Sequence, residues 1–374
     1  MLTNDEYRDT YLALNICINA RVPVILWGPP GQGKTSVIKA IAKREERALE
    51  VLLASIREPQ DFAGLPSISN GRATLVAPDW AQRLAEDGNG ILFMDEVNTA
   101  PPAVQAALLR VSLDKVAGDC ALGERTSIVA AANPPEQAAD GWDLAPPLAN
   151  RFCHLEWSLP AEVVRNGLSG EWPTFVVPEV SPEKLEKAIL EERALVGGFL
   201  TARPDLTTVL PSGTSEQGRA FPTPRSWNTM IEASAWVTAS GLDDSVRRMV
   251  VRGCLGPGAS TEYLTYRKNT DLPQPEQILK DPAAMKVPKR ADQVFVIGVG
   301  VMHAVRNNLT ADRWHAAGEV LERIATEGHP DIAVSFARGW LKNRPKVARG
   351  ADPVLPNLLI MRSMVPLMTE ARLI

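Results

Sequence analysis

The stretch "GPPGQGKT", residues 28–35, lies between an apolar run, "VPVILW" (22–27), and a helix-forming one, "SVIKAIAKREE" (36–46), and it restricts the fold more than any other feature. It has the spacing G-x-x-x-x-G-K-[ST], whose chemistry asks for a buried strand before it and a helix start after it. Gly28, Gly31 and Gly33 are expected to give the backbone special dihedrals, so that successive N–H groups converge on phosphate oxygens beside the positive end of the helix dipole. Pro29, Pro30 and Gln32 complete the loop, and Ser36 extends the binding set into the helix. Lys34 supplies a point charge to the β and γ phosphates, and the Thr35 hydroxyl suits Mg²⁺. The alternative is a glycine turn before an ordinary helix.

Four further short apolar runs, "EVLLA" (50–54), "GILFMD" (90–95), "SIVAAA" (127–132) and "FCHLEW" (152–157), alternate with helical patterns. That rhythm predicts βαβ units, an α/β fold with a parallel five-stranded sheet flanked by helices. In "ILFMDEVN" (91–98) four apolar residues end in adjacent carboxylates at the C-terminal edge of a buried strand, where ligands of such sheets bind. Asp95 suits Mg²⁺, held through water, and Glu96 suits orienting and deprotonating an attacking water. Asn133, ending "SIVAAAN", is placed to hold that water or the γ phosphate; alternatively it caps the turn before Pro134 and Pro135.

A chain of 374 residues calls for two or three domains. With 45% hydrophobic and 22% charged residues and a net charge of −4, the composition is that of a soluble globular protein. The acidic balance, without a long Lys/Arg run, argues against a protein built to grip nucleic acid. Cys17, Cys120, Cys153 and Cys254 form no CxxC pair, which speaks against a zinc site or disulfide framework and for buried free thiols. His154, His303, His315 and His329 lack metal-ligand spacing. The opening residues have no basic n-region, so a cytoplasmic location is expected. The segment "VLPNLLIMRSMVPLMTEARLI" (354–374) is broken by Pro356, Asn357, Arg362 and Pro366, too often for a membrane span, and is expected to be packed helix.

Tyr7, Tyr11, Leu14 and Ile18 recur at helical spacing, predicting an amphipathic helix against the first domain. Beyond residue 160 the strand rhythm stops, and "SPEKLEKAILEERALVGGFL" (181–200) and "LTADRWHAAGEVLERIA" (309–325) have helical periodicity. Thr310 is the expected N-cap of the latter, with Trp314, Ala317, Leu321 and Ile324 on its core stripe. Residues 266–293, rich in proline and polar residues, are expected to be a connector. The expected domains are 1–160, α/β with insertions near 57–80 and 113–127; 161–265, helical; and 266–374, the connector and a C-terminal helical segment. The second insertion is expected to contain a hairpin.

Over roughly residues 5–240, the motifs "GPPGQGKT", "LFMDEVNTAPPAVQAALL", "VAAANPP" and "LAPPLANRF" occur in an order that resembles an AAA+ ATPase of the MoxR group, related to the NorQ and CbbQ type of activating ATPase. The resemblance implies a P-loop AAA+ core followed by an all-α lid, ATP and Mg²⁺ as cofactors, and a homo-oligomeric ring, by analogy a hexamer, that remodels, activates or matures a partner protein. Lys34 and Thr35 would belong to Walker A, Asp95 and Glu96 to Walker B, and Asn133 to sensor 1. Arg151, in "ANRF", falls where the family carries its arginine finger; a surface arginine paired with a carboxylate is the alternative. Arg225 follows the N-cap Thr223 and Pro224. A cation is disfavoured there by the helix dipole unless an anion compensates, which fits the family's sensor 2. The insertions would face the axial surface of a ring, or be ordinary surface loops. A von Willebrand factor A domain protein is the partner the resemblance suggests; no residue identifies the client. Alternative functions are a nucleotide-loaded scaffold with incidental hydrolysis and a nucleic-acid-dependent AAA+ motor, the latter disfavoured by the absence of a basic, aromatic-interleaved stretch.

Overall fold

The computed structural model describes residues 2–69, 71–134, 142–211, 213, 218–270, 275–345 and 365–370. The chain divides into two compact units, Met1–Leu185 with Thr207–Glu262, and Glu186–Leu206 with Tyr263–Ile374.

The first unit is built on strands β1 (Val24–Trp27), β2 (Leu49–Leu53), β5 (Ile91–Asp95), β8 (Ser127–Ala132) and β9 (Cys153–Glu156), in the spatial order β2-β5-β8-β1-β9. Each neighbouring pair is parallel. The three central strands are apolar at almost every position and buried on both faces, as a sheet sandwiched between helices requires. On one face Ile25, Trp27, Leu92, Met94 and Ile128 pack with Leu108, Val111, Trp80 and Leu84 from flanking helices. All five runs predicted as strands are strands.

The predicted first helix spans Asn4–Ala20, capped by Thr3 in a reciprocal box with Glu6. It buries Tyr7, Tyr11, Leu14 and Ile18 and packs against β8, β9 and the helices Pro224–Ser240 and Asp244–Leu255. The first insertion holds a hairpin of β3 (Leu65–Ser69) and β4 (Arg72–Val76), paired Leu65 to Val76. The second holds the short hairpin of β6 (Val116–Ala117) and β7 (Cys120–Ala121). Cys17, Cys153 and Cys254 are buried free thiols as expected, whereas Cys120 is half-buried. The fold brings the three buried thiols together, and hydrogen bonding to Cys153 followed by burial holds Cys17 and Cys254 well above the ordinary thiol range.

The second unit is helical. Thr310 caps the helix Ala311–Thr326 by accepting from the Arg313 N–H, and Trp314, Ala317, Leu321 and Ile324 are its buried stripe. Trp314 stacks on Trp340 with ring centroids 4.1 Å apart and 7° between planes. Each indole N–H donates to the other residue's carbonyl, so the polar edges of both rings are satisfied inside the core. Residues 266–293 are not a bare connector: they contain the helix Pro275–Lys280, and Leu279 and Met285 join the same core as Trp314. Apolar side chains between the prolines carry that packing, which turn-residue counting overlooks. Of the apolar C-terminal stretch, only the helix Val365–Glu370 is described, with Met368 buried; the rest lies outside the described residues. Among the described residues no helix is long and apolar enough to cross a membrane.

One contact in the first unit carries a pH dependence. The Trp27 indole donates to Nδ1 of His154 at 2.9 Å, while Nε2 faces the Ala149 carbonyl at 2.9 Å. The proton of the neutral ring therefore sits on Nε2. The Arg219 guanidinium lies over the Trp27 ring, 4.0 Å from its centroid. Burial pushes the His154 pKa down to about 4, with the Arg219 charge acting in the same direction and the Ala149 carbonyl against it. Between that value and the ordinary 6.5 the unfolded chain binds more protons, so stability is fully present above about pH 6.5 and is lost as pH falls toward 4. Urea denaturation across this range should show that loss, and His154→Gln should flatten it; an unchanged slope in the variant would remove His154 as its source.

Candidate nucleotide-binding site

The loop after β1 leads into the helix Lys34–Arg44, whose N-cap is Gly33 at φ 68°. Gly31 is also left-handed, at φ 75°, a region that costs glycine nothing. Gly28 differs from the expectation of a special dihedral: its constraint is space. A Cβ there would lie 2.0 Å from the Trp157 carbonyl oxygen, so the loop starts in direct contact with the chain leaving β9. Gln32 fixes the same pair of segments, its carbonyl accepting from the Trp157 indole and its side-chain oxygen from the Leu159 N–H, both at 2.9 Å.

Three strand ends converge on this loop. Lys34 and Thr35 follow β1, Asn133 follows β8, and Asp95 ends β5, which is the carboxyl edge where open parallel sheets hold ligands. Lys34 is 7% exposed, and its ammonium donates to the carbonyls of Gly28 (2.5 Å) and Pro29 (3.0 Å) and to Oδ1 of Asn133 (3.0 Å). Burial lowers its pKa, and the Asp95 and Glu96 carboxylates oppose that shift. Its acceptors are neutral oxygens, so an anionic phosphate oxygen would make a stronger, charge-assisted bond.

Thr35 Oγ1 donates to Oδ2 of Asp95 at 2.9 Å. A hydroxyl and one carboxylate side by side are hard oxygen donors, and they suit a Mg²⁺ ion that takes its other ligands from phosphates and water. Among the described residues no group of three or more His, Cys, Asp or Glu could hold a metal by itself. Glu96 has φ 57°, uncommon for a residue with a side chain. Its Oε2 accepts from the Ser55 hydroxyl at 2.7 Å, a partner on the turn after β2. Pro30 and Ser36 are exposed at the rim.

Arg151 and Arg225 stand elsewhere. The parallel register pairs Val24 with Cys153 and Trp27 with Glu156. Arg151, two residues before β9, is therefore at the opposite end of β1 from the loop. At about 3.3 Å per residue, that strand alone separates the two ends by about 10 Å. Arg151 donates to the Pro147 carbonyl, and its Nε is buried without a hydrogen-bond partner. Burial, then the positive charge of Arg225, lowers its pKa, with Asp114 opposing. Arg225 occupies the first turn of the helix Pro224–Ser240, capped by Thr223 as expected. The fold thus groups Arg225 with Arg151.

Sequence reasoning overlooked Ser55 and Asn98. Asn98 lies two positions after Glu96 in "DEVN", but nothing in a linear pattern says that its side chain meets Asn133. Ser55 lies 41 positions from its partner.

Residues 23–152 match the family described as AAA domain (dynein-related subfamily), so this part of the chain is similar to AAA domains. The protein MoxR of Methylorubrum extorquens is 33% identical over 103 residues, 27% of this chain and 30% of that one. The protein WtsA of Pantoea stewartii is 33% identical over 93 residues, 24% of this chain and 29% of that one. The matched segment thus spans less than a third of either relative. A solved structure from Cytophaga hutchinsonii is similar over 73% of this chain and 92% of its own, at 17% identity and a TM-score of 0.43.

If the loop holds phosphates, Lys34→Ala removes a buried cation and its charge-assisted bonds, each worth about 1.5–3 kcal/mol. Titration with a fluorescent ATP analogue should then show an affinity loss of tenfold or more by that estimate; retained affinity would place the nucleotide elsewhere.

Proposed function

We propose that this AAA-type chain is a Mg²⁺-dependent ATPase whose catalytic site is completed by a second copy of itself, in a ring that drives remodelling or maturation of a partner protein. The observation that carries the reading is the convergence of Lys34, Thr35, Asn133 and Asp95 at the ends of three strands, with Glu96 beside them. In that arrangement the loop amides and Lys34 grip the β and γ phosphates. Mg²⁺, held at Thr35 and Asp95, would neutralise charge on the phosphates. Glu96 accepts the proton of the attacking water, and Asn133 orients the water or the γ phosphate. Ser55 bonds the same carboxylate and so competes with water for it.

Arg151 lies at the far end of β1 from the loop, and Arg225 is near enough for its charge to lower the Arg151 pKa, which supports a role across a subunit seam. There the two guanidinium groups would meet the neighbour's γ phosphate, and stabilising its developing charge is worth on the order of 10³–10⁵ in rate for arginines supplied in this way. The like-charge cost of holding them together is relieved by an anion at the seam. Arg225 accordingly acts with Arg151 on the neighbour's nucleotide rather than as a sensor for its own. Hexameric assembly, a von Willebrand factor A domain partner and a chaperone-like task are part of the same proposal and rest on the resemblance of the sequence motifs to the MoxR group.

Glu96→Gln should keep ATP bound and copies assembled while nearly abolishing turnover; wild-type turnover would take Glu96 out of its role. Arg151→Ala should be inactive alone and recover activity when mixed with Lys34→Ala copies, since each then supplies what the other lacks. Mixed assemblies as inactive as either parent would exclude catalysis across a seam.

A further inference from the structure

We infer that Asn98 is a positioning residue for hydrolysis, fixing Asn133 and the backbone kink at Glu96 relative to each other; this rests on the ATPase reading above. Asn98 is 3% exposed. Its Nδ2 donates to the Asn133 carbonyl at 2.8 Å, and its Oδ1 accepts from the Asn133 N–H at 3.1 Å. A side-chain amide thus imitates a neighbouring strand, just past the point where the register of β5 with β8 ends at Met94 and Ala130. Only a planar group with a donor and an acceptor side by side can close such a ring: aspartate lacks the donor, and alanine lacks both.

The consequence runs in two directions. Downstream, Asn133 is left with its side chain free to meet Lys34, which its Oδ1 does at 3.0 Å. Upstream, Glu96 is held at φ 57°, a strained conformation that persists only where its surroundings fix it. The chain is pinned on the far side of that kink by Val97 N–H donating to the Ala131 carbonyl at 3.0 Å and by Asn98 itself. Thr99 closes the turn, its N–H and hydroxyl both donating to the Glu96 carbonyl. The Asn98 carbonyl also accepts from the Trp142 N–H at 2.8 Å. One buried amide therefore sets the spacing between Glu96 and the Asn133 side chain that meets Lys34, acting through the backbone of Asn133.

The test compares Asn98→Ala and Asn98→Asp with wild type by steady-state turnover, nucleotide affinity and amide hydrogen exchange. The expected result is a kcat lowered by about tenfold to a hundredfold, the scale on which small misplacements act, with nucleotide affinity unchanged. Exchange of the Asn133 amide should accelerate in Asn98→Ala. In Asn98→Asp, which keeps the acceptor for that amide, protection should persist while kcat falls part of the way; this variant carries the test if the alanine variant fails to fold. On an Asn133→Ala background, Asn98→Ala should cost less than it does in wild type, because part of its effect passes through the Asn133 side chain. Unchanged kcat, a loss confined to affinity, or two losses that multiply would each overturn the inference. A wild type that binds ATP without turnover would instead defeat the ATPase reading and the catalytic half of this one, while unaltered Asn133 exchange in Asn98→Ala would defeat the clamp itself.

Discussion

A cation is buried at the edge of a parallel sheet, and much of the first unit is arranged around it. Lys34 enters the protein at the first position of a helix, where the dipole disfavours positive charge, and burial lowers its pKa further. Such a group needs oxygen partners, and it finds them in the carbonyls of Gly28 and Pro29 and the amide of Asn133. Those partners are dipoles, not ions. The carboxylates nearby are engaged by hydroxyls, Asp95 by Thr35 and Glu96 by Ser55. The site is therefore short of full negative charge at the place where a triphosphate would supply it, and the same shortage recurs where Arg151 and Arg225 lie together.

The separation of these two cationic places is set by a single strand. Cys153–Glu156 has Arg151 just before it and the Trp157–Leu159 segment that grips Gln32 just after it. Because β9 runs parallel to β1, an arginine at its start and the 28–35 loop at its end lie at opposite ends of these strands. The proposal of catalysis across a seam rests on this strand direction, which side-chain rotamers cannot reverse. The second unit, by contrast, rests on its own core around the Trp314 and Trp340 stack.

The strands and the loop were legible because each is written in consecutive residues. "GPPGQGKT", "ILFMD" and "SIVAAA" carry their burial and their turn chemistry locally, and the helices Asn4–Ala20 and Ala311–Thr326 carry theirs in caps and a regular stripe. Residues 266–293 misled for the converse reason: proline and polar residues dominate the stretch, while the burial of Leu279 and Met285 depends on helices distant in sequence. At Gly28 the limit is space rather than the expected special dihedral, and the carbonyl of Trp157 that excludes a Cβ is 129 positions away.

What the sequence settled by itself was the parallel α/β core, the glycine-rich loop after its first strand and the carboxylates at the end of "ILFMDE", because spacing and hydrophobic period act over a few residues. Tertiary structure alone decided that Ser55 bonds Glu96, that Asn98 clamps Asn133, and that Arg225 sits with Arg151. Each of these depends on where strands end relative to one another in space, and hydrogen bonds and charge repulsion between such distant segments leave no periodic trace along the chain.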